Sequence, residues 1–431
     1  MRCVGRKGDG SSQRIDQALH LLTTVLKKLV REVLKASGRA KGSRSGRYYY
    51  TLLHAIAVLC VGILLLKTYQ LYGCSSFGSD AFHNLHLPLA IIRTPDTGAT
   101  MIIPPGVTII SSTIDIPPRT TLVQGSGIGN SILRRNPVFN GYMVRSRSDG
   151  CRFTGFTVDG NGSTGNNDVG LALTTHNTVD TVEVKDIMHI GIATYDGCIV
   201  NKCILTGPGP SSSGRSNIGI WFGTSHGRLT VSNNVISHWG GAIGVFAQWS
   251  VVDILNNTIF SNGYGPGGGG QIDIGTLAGN STVRIVANDI SRGMYKWIGG
   301  LEVHNGRVYI QNNNIHDHKF YGIHLDRTID ACIIQNNRIY NNGQYTADEH
   351  RPQLRAGIVV PWGCHHVYID NNHVYDNQKE KTQTWAVMLL SGATGTATSD
   401  ITILSNNDFA GNIQQPAIKY GYKSVSGSYN P

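Results

Sequence analysis

One eight-residue pattern recurs along the chain and limits its fold more than any other feature. LTVSNNVI (229–236), VDILNNTI (252–259), VRIVANDI (283–290), VYIQNNNI (308–315), CIIQNNRI (332–339), VYIDNNHV (367–374) and TILSNNDF (402–409) each place alternating apolar residues before an asparagine turn. Looser copies, CRFTGFTV (151–158), VEVKDIMH (182–189) and CIVNKCIL (198–205), carry the array toward the N-terminus. The marker residues Asn234, Asn257, Asn288, Asn313, Asn337, Asn372 and Asn407 are separated by 23, 31, 25, 24, 35 and 35 residues. A unit that keeps short strands fixed while absorbing insertions between them behaves as one coil of a solenoid.

Strands of about 3 to 5 residues with two-residue alternation are too short for a sandwich and too regular for loops. The composition agrees, since 53 glycines in 431 residues and 15% charged residues suit a chain of tight turns and inward-facing aliphatics. Within the template the asparagines are scaffold: Asn tolerates the left-handed backbone of a sharp turn, and stacked Asn side chains bond to one another along the axis.

Coils of this length with an asparagine turn resemble the right-handed parallel β-helix repeat family, which includes pectate and alginate lyases, polygalacturonases, alginate epimerases and phage tailspikes. The resemblance covers roughly residues 100 to 412. It implies an all-β, right-handed parallel β-helix solenoid and a polysaccharide substrate or ligand, while one fold hosts many reactions. Neither the Gly-His-Gly and paired-Asp signatures of polygalacturonases nor the Asp-Pro-His-Asp motif of bacterial alginate epimerases is present.

The net charge of +10 belongs to the N-terminal tail. Of the 37 basic and 27 acidic residues, 13 and 3 lie within residues 1–72, so the remainder carries 24 of each. Residues 48–66, YYYTLLHAIAVLCVGILLL, are 19 uncharged residues, long enough to cross a hydrocarbon core. Basic residues precede them, and tyrosines flank both ends. The expectation is a single-pass transmembrane helix with its N-terminus cytoplasmic and the β-helix on the periplasmic, extracellular or lumenal side. A cleaved signal peptide is the alternative, against which stand the 47-residue leader and the lack of a small-x-small site after the apolar run. Residues 15–34 space apolar residues helically among Lys and Arg, which fits a helix on the anionic inner leaflet better than a nucleic-acid arm. The expected organisation is a basic segment (1–47), the membrane helix (48–66), a linker (67–90), the β-helix (91–412) and a C-terminal tail or cap (413–431).

Cys151, Cys198 and Cys332 fall at the first inward position of the template and read as core fillers. With the Val182 coil between them, Cys151 and Cys198 would stand two rungs apart, too far to bridge. No metal-ligand spacing appears; calcium is the one cofactor the reading leaves possible.

The strand after the variable turn carries the chemistry. Aligned on its inward aliphatic residue, GLALTT, GIATYD, GIWFGT, AIGVFA, QIDIGT, GLEVHN, GIHLDR, GIVVPW and AVMLLS stack two outward columns. The first reads Ala172, Ala193, Trp221, Gly244, Asp273, Glu302, His324, Val359 and Met388, and the second Thr174, Tyr195, Gly223, Phe246, Gly275, His304, Asp326, Pro361 and Leu390. Asp273, Glu302, His304, His324 and Asp326 therefore converge on three rungs spaced by ~4.8 Å, flanked by small or apolar residues. An exposed sheet face is often polar, but stacked like charges cost energy unless a proton, cation or substrate answers them. Turns leading into these strands bring Arg292, Tyr295, Lys296, Trp297, Lys319, Tyr321 and Arg355 toward the same face, and Arg327 follows Asp326. Aromatic platforms with cationic donors suit an acidic glycan.

Two mechanisms remain open. In a lyase or C5-epimerase, His324 or His304 would take the proton beside a uronate carboxylate while Arg327 or Lys319 neutralises the charge. In an inverting glycosidase, Glu302 and Asp326 would serve as acid and base. A non-catalytic glycan-binding or structural β-helix is the reading of a different class.

Overall fold

Each alternating stretch of the repeat becomes a strand and each break becomes a corner. The computed structural model describes residues 90–94, 98–162, 167–209, 217–224, 226–263, 269–275, 281–294, 298–345, 354–361, 364–390, 401–414 and 425–426. The chain divides into two units, Met1–Ala81 and Phe82–Pro431, and all described residues belong to the second. The expected basic helix, membrane span, nearly all of the linker and most of the C-terminal tail lie outside them. No helix among the described residues is long and apolar enough to cross a membrane.

Three parallel faces build the solenoid. The first carries Tyr142–Ser146, Val169–Ala172, Ile190–Thr194, Ile218–Phe222, Gly241–Val245, Gly269–Ile274, Ala356–Val360 and Trp385–Leu389. The second runs from Arg152–Thr154 through Gly227–Ser232 and Ser250–Leu255 to Ile401–Ile403. Eleven short strands, from Gly106–Ile110 to His373–Tyr375, make the third. In two coils the strand does not stop at the first corner: Ile298–Gln311 and Ile323–Gln335 run through the first and second faces without a break. Only one antiparallel pair occurs among the described strands, the hairpin of Ala90–Thr94 with Gly98–Ile102.

The core is a column of β-branched and Leu side chains, because alternation sends every second residue of every strand inward. In one coil Ile243, Val245, Val252, Ile254 and Ile259 supply all three faces and are all 0% exposed. Cys151, Cys198 and Cys332 are buried in this column, as are Cys203 and Cys364.

At the second corner the two asparagines divide the work. The first takes the left-handed backbone, with φ of 58° at Asn233, 55° at Asn256, 58° at Asn312 and 58° at Asn336. The second turns inward and joins an amide ladder. Nδ2 of Asn234, Asn257, Asn288, Asn313, Asn337 and Asn372 each donates to Oδ1 of the next member, ending at Asn407, over 2.9–3.1 Å. The same amides also donate to a strand carbonyl of the preceding coil, as Asn313 does to Ile285 at 2.8 Å. A second buried run near the third corner includes Asn262, Gln271, His318, Asn342, Gln383 and Asn412. Burial pushes the His318 imidazole down to about 3, so it is neutral, donating from Nε2 to Ile290 and accepting at Nδ1 from the Gly293 amide.

Two expectations are corrected. The frame of the VEVKDIMH coil begins earlier: Thr178–Asp180 pairs with Arg152–Thr154 and Ile199–Asn201, while Glu183–Lys185 belongs to the third face. Asn177, not Val182, therefore occupies the rung between Cys151 and Cys198. The columns expected to face solvent are also closed at one end, since Val359 and Met388 are 0% and 1% exposed. Phe320, Tyr321 and Ala356, with Tyr345, Leu354, Trp385 and Leu390, pack over them as a satellite cluster.

Candidate active site

The first column keeps the expected register rung by rung. Ala172 pairs with Ala193, Ala193 with Trp221, Trp221 with Gly244, Gly244 with Asp273, Asp273 with Glu302, Glu302 with His324, His324 with Val359 and Val359 with Met388. Their neighbours Ile272, Leu301 and Ile323 are fully buried, which locks the backbone that carries the polar side chains.

Acids and imidazoles alternate across three rungs. Asp273 Oδ1 stands 3.3 Å from His304 Nε2, which stands 3.8 Å from Glu302 Oε1, which stands 3.5 Å from His324 Nδ1. The carboxylates of adjacent rungs thus have an imidazole between them. Glu302 and His324 are the most sheltered, with side chains 15% and 18% exposed. Tyr321 donates from its hydroxyl to Glu302 Oε2 at 3.1 Å, and its ring lies 4.9 Å from that of His324. Burial works to raise the Glu302 carboxyl, but His324, then His304 and the Tyr321 hydroxyl, outweigh it and hold the group below the ordinary glutamate value. Glu302 is therefore ionised at neutral pH and suited to orienting a base, not to donating a proton.

The remaining candidates divide. At the corner after Val303 the ladder slips: Val303 pairs with Leu325 but Asn305 with Thr328. Asp326 and Arg327 together therefore oppose His304, in place of the one-to-one match of the expected column; their side chains lie outside the described residues, as do Tyr295, Lys296 and Trp297 entirely. Lys319 is half-buried, and its carbonyl accepts from the Tyr345 amide. Arg355 is half-buried with no hydrogen bond at Nε. Tyr321, expected as a substrate platform, is 4% exposed within the cluster that covers Val359 and Met388, and its hydroxyl meets Glu302 from that side. Arg292 follows the third-face strand Asp289–Ser291 and acts on Asp289.

A second charged group went unread in the sequence. On the third face His316 stands between Asp289 Oδ1 at 3.1 Å and Asp317 Oδ2 at 2.7 Å, and stacks on Tyr340 at 4.7 Å. Burial opposes its charge, yet the two carboxylates raise it to about 9. Tyr340 in turn stacks on Tyr375 at 5.0 Å. The signal was in the template itself, since His316, Tyr340 and Tyr375 share one position three residues beyond the marker asparagine. With both nitrogens engaged and its ring face covered, His316 is a clamp between coils. Among the described residues no group of three or more His, Cys, Asp or Glu is placed to hold a metal ion.

Residues 272–428 match the family described as a right handed beta helix region. The described coils form a right-handed parallel β-helix. Among solved structures, the β-helix is similar to the Azotobacter vinelandii mannuronan C-5 epimerase AlgE4 A-module at 15% identity and a TM-score of 0.54, over 78% of this chain and 91% of that one. The AlgE6 A-module of the same organism aligns at 15% identity and 0.49, over 77% and 90%. The Dettilon tailspike aligns at 16% and 0.48, over 72% and 61%. At these identities the likeness concerns the fold. A search of curated proteins found no match.

Proposed function

We propose that this β-helix is a membrane-anchored polysaccharide lyase or C5-epimerase acting on a uronate-containing glycan. The observation that carries the reading is an ionised Glu302 facing Nδ1 of His324 at 3.5 Å. A carboxylate in that place favours the tautomer with hydrogen on Nδ1, leaves Nε2 as the base, and stabilises the imidazolium once a proton arrives. Nε2 takes the C5 proton, and the electron pair left behind spreads into the uronate carboxylate. Lys319, Arg327 or Arg355 would answer that charge. In a lyase the pair then forms the C4–C5 double bond and expels the C4 glycosidic oxygen, which takes up a proton. In an epimerase a proton returns to C5 from the opposite face.

The neighbour at a TM-score of 0.54 is named a mannuronan C-5 epimerase, which agrees with this class; the weight rests on Glu302 and His324. Hydrolysis needs one protonated carboxylic acid, and the lowered Glu302 speaks against that role for it. Anchoring rests on the uncharged run 48–66 and its basic flank, and alkaline extraction of membranes tests it: release of the chain would refute a spanning helix.

Product analysis on uronate and neutral glycans separates the reactions. New ultraviolet absorbance marks a lyase, and deuterium entering C5 from heavy water without chain cleavage marks an epimerase. Reducing ends without an unsaturated sugar would establish a hydrolase, and binding without any product a binding module. His324→Gln and Glu302→Gln should each lower turnover at least ~10²-fold.

A further inference from the structure

The first face does not end at Asp273. Toward the N-terminal coils it opens into a cleft of about 1050 Å³, the size of a generous small-molecule site. Ala172 and Ala193 form its floor, where larger residues would fill it. Tyr142 and Tyr195 stand at its sides, 41% and 43% exposed, and Trp221 packs against the floor at the end nearer Asp273.

Between this cleft and the acid–imidazole centre, two rings lie along the sheet. A Cβ on Gly223 would sit 2.2 Å from the Trp221 ring, and one on Gly275 would sit 2.4 Å from the Phe246 ring. Each glycine thus gives up its side-chain space to a ring from a neighbouring position. An indole and a phenyl folded down on the backbone turn their free faces outward, and Phe246 remains 40% exposed. Trp221 is three rungs before Glu302, or ~14 Å at strand spacing. One rung is close to the span of one pyranose ring in an extended chain.

Charge on this stretch is confined to the far wall of the cleft, in Asp149, which accepts from the Thr175 amide at 3.2 Å, and Arg145. Arg145 is held by Asp115 through bonds of 2.7 and 3.1 Å and lies over the Tyr142 ring. His189 lines the cleft with its buried Nδ1 free of any hydrogen bond. Outward aromatic faces with a few hydrogen-bonding groups fit the C–H faces and hydroxyls of sugars, whereas a track selecting carboxylates would show unpaired cations.

We propose that the cleft, Trp221 and Phe246 form a binding track that holds an extended glycan along the first face by its uncharged faces, up to Glu302 and His324. This rests on the reading of that centre as a glycan site and adds which part of the chain is gripped, and how.

The test is binding by the full chain carrying Glu302→Gln, with oligomannuronates and β-1,4-glucose oligomers from disaccharide to octasaccharide. Affinity should rise with length to about the hexasaccharide, and the rise should survive added salt. Phe246→Ala and Trp221→Ala remove platforms, and Ala193→Trp fills the floor without entering the core. Each should lower hexasaccharide affinity roughly fivefold to tenfold while sparing the disaccharide, at unchanged melting temperature. If the length dependence persists in all three variants while Glu302→Gln still abolishes turnover, the track is overturned and the centre stands. If the length dependence is lost but turnover survives in Glu302→Gln and His324→Gln, the track stands and the centre falls. Binding of no oligomer in either series overturns the track.

Discussion

Tyr321 donates a hydrogen bond from its hydroxyl to Glu302 at 3.1 Å, out of the cluster that covers Val359 and Met388, while the same carboxylate meets His324 on its other oxygen. The phenol is 4% exposed, so the site is supported by a side chain that a substrate cannot reach. Tyr321→Phe keeps the ring packed against His324 and removes one of the groups that hold Glu302 low. Turnover should fall about tenfold, and stability at neutral pH should drop by about 1–2 kcal/mol, in keeping with a hydrogen bond to a charged group. A depressed carboxyl stabilises the fold above its unfolded value and loses that contribution as pH falls through its folded value. Thermal melts of the two proteins should therefore converge in acid; a constant gap would show that the hydroxyl does not act through Glu302.

Neither His324→Gln nor Glu302→Gln opens a core cavity, but each breaks the pairing that holds the Glu302 carboxyl below its ordinary value, so melting temperatures should fall modestly at neutral pH and the loss should shrink in acid. The pH–rate profile is the sharper readout. The limb set by ionisation of Glu302 should lie below the ordinary glutamate range and vanish in Glu302→Gln, with a different limb lost in His324→Gln. An unaltered profile in both variants would remove these groups from the reaction.

The asparagine ladder should be worth more than its turns alone suggest. Asn313 donates to Ile285 and Asn337 and accepts from the backbone and side-chain amides of Asn288, all buried. Asn313→Ala strands those donors, at about 2–4 kcal/mol. Denaturant unfolding measures this; a cost under ~0.5 kcal/mol would mean that the ladder adds nothing net.

His316 sets a pH window of its own. Its folded value, raised from 6.5 to about 9, makes its contribution full below about pH 6.5 and lost as pH rises toward 9. Partial exposure reduces the amount to about 1–2 kcal/mol. His316→Gln should destabilise the protein below neutrality and flatten the slope between these limits; an unchanged slope would place the titration elsewhere.

The rungs were legible because strand alternation has period two and buried aliphatics fix register, so that one aligned residue per coil placed Asp273, Glu302 and His324 on consecutive strands. What crosses over the face was not. Nothing in the HKFYG turn (318–322) says that Tyr321 folds over the face to reach Glu302, or that Phe320 and Tyr345 cap Val359, since irregular backbone has no period to read. The slip at Asp326 and Arg327 follows from a corner where the strand does not stop, and a template built from interrupted coils carries no sign of it. Trp221 and Phe246 were placed in the right columns as apolar flanks; the glycines beside them, which let the rings lie down, were the signal passed over.

The amide ladder also dictates how such a protein changes length. The marker amides from Asn234 to Asn372 donate forward to the next coil and backward to the preceding one, as Asn313 and Asn337 show, so a partial coil would leave its neighbours' donors facing nothing. Residues can enter or leave freely at the variable turns, where spacings of 23 to 35 are already accommodated, but the axial dimension grows or shrinks only by a complete winding. Gene duplications and deletions that survive in this lineage should accordingly be whole-winding events, and those that fall between Trp221 and Glu302 should reset that interval by one fixed increment.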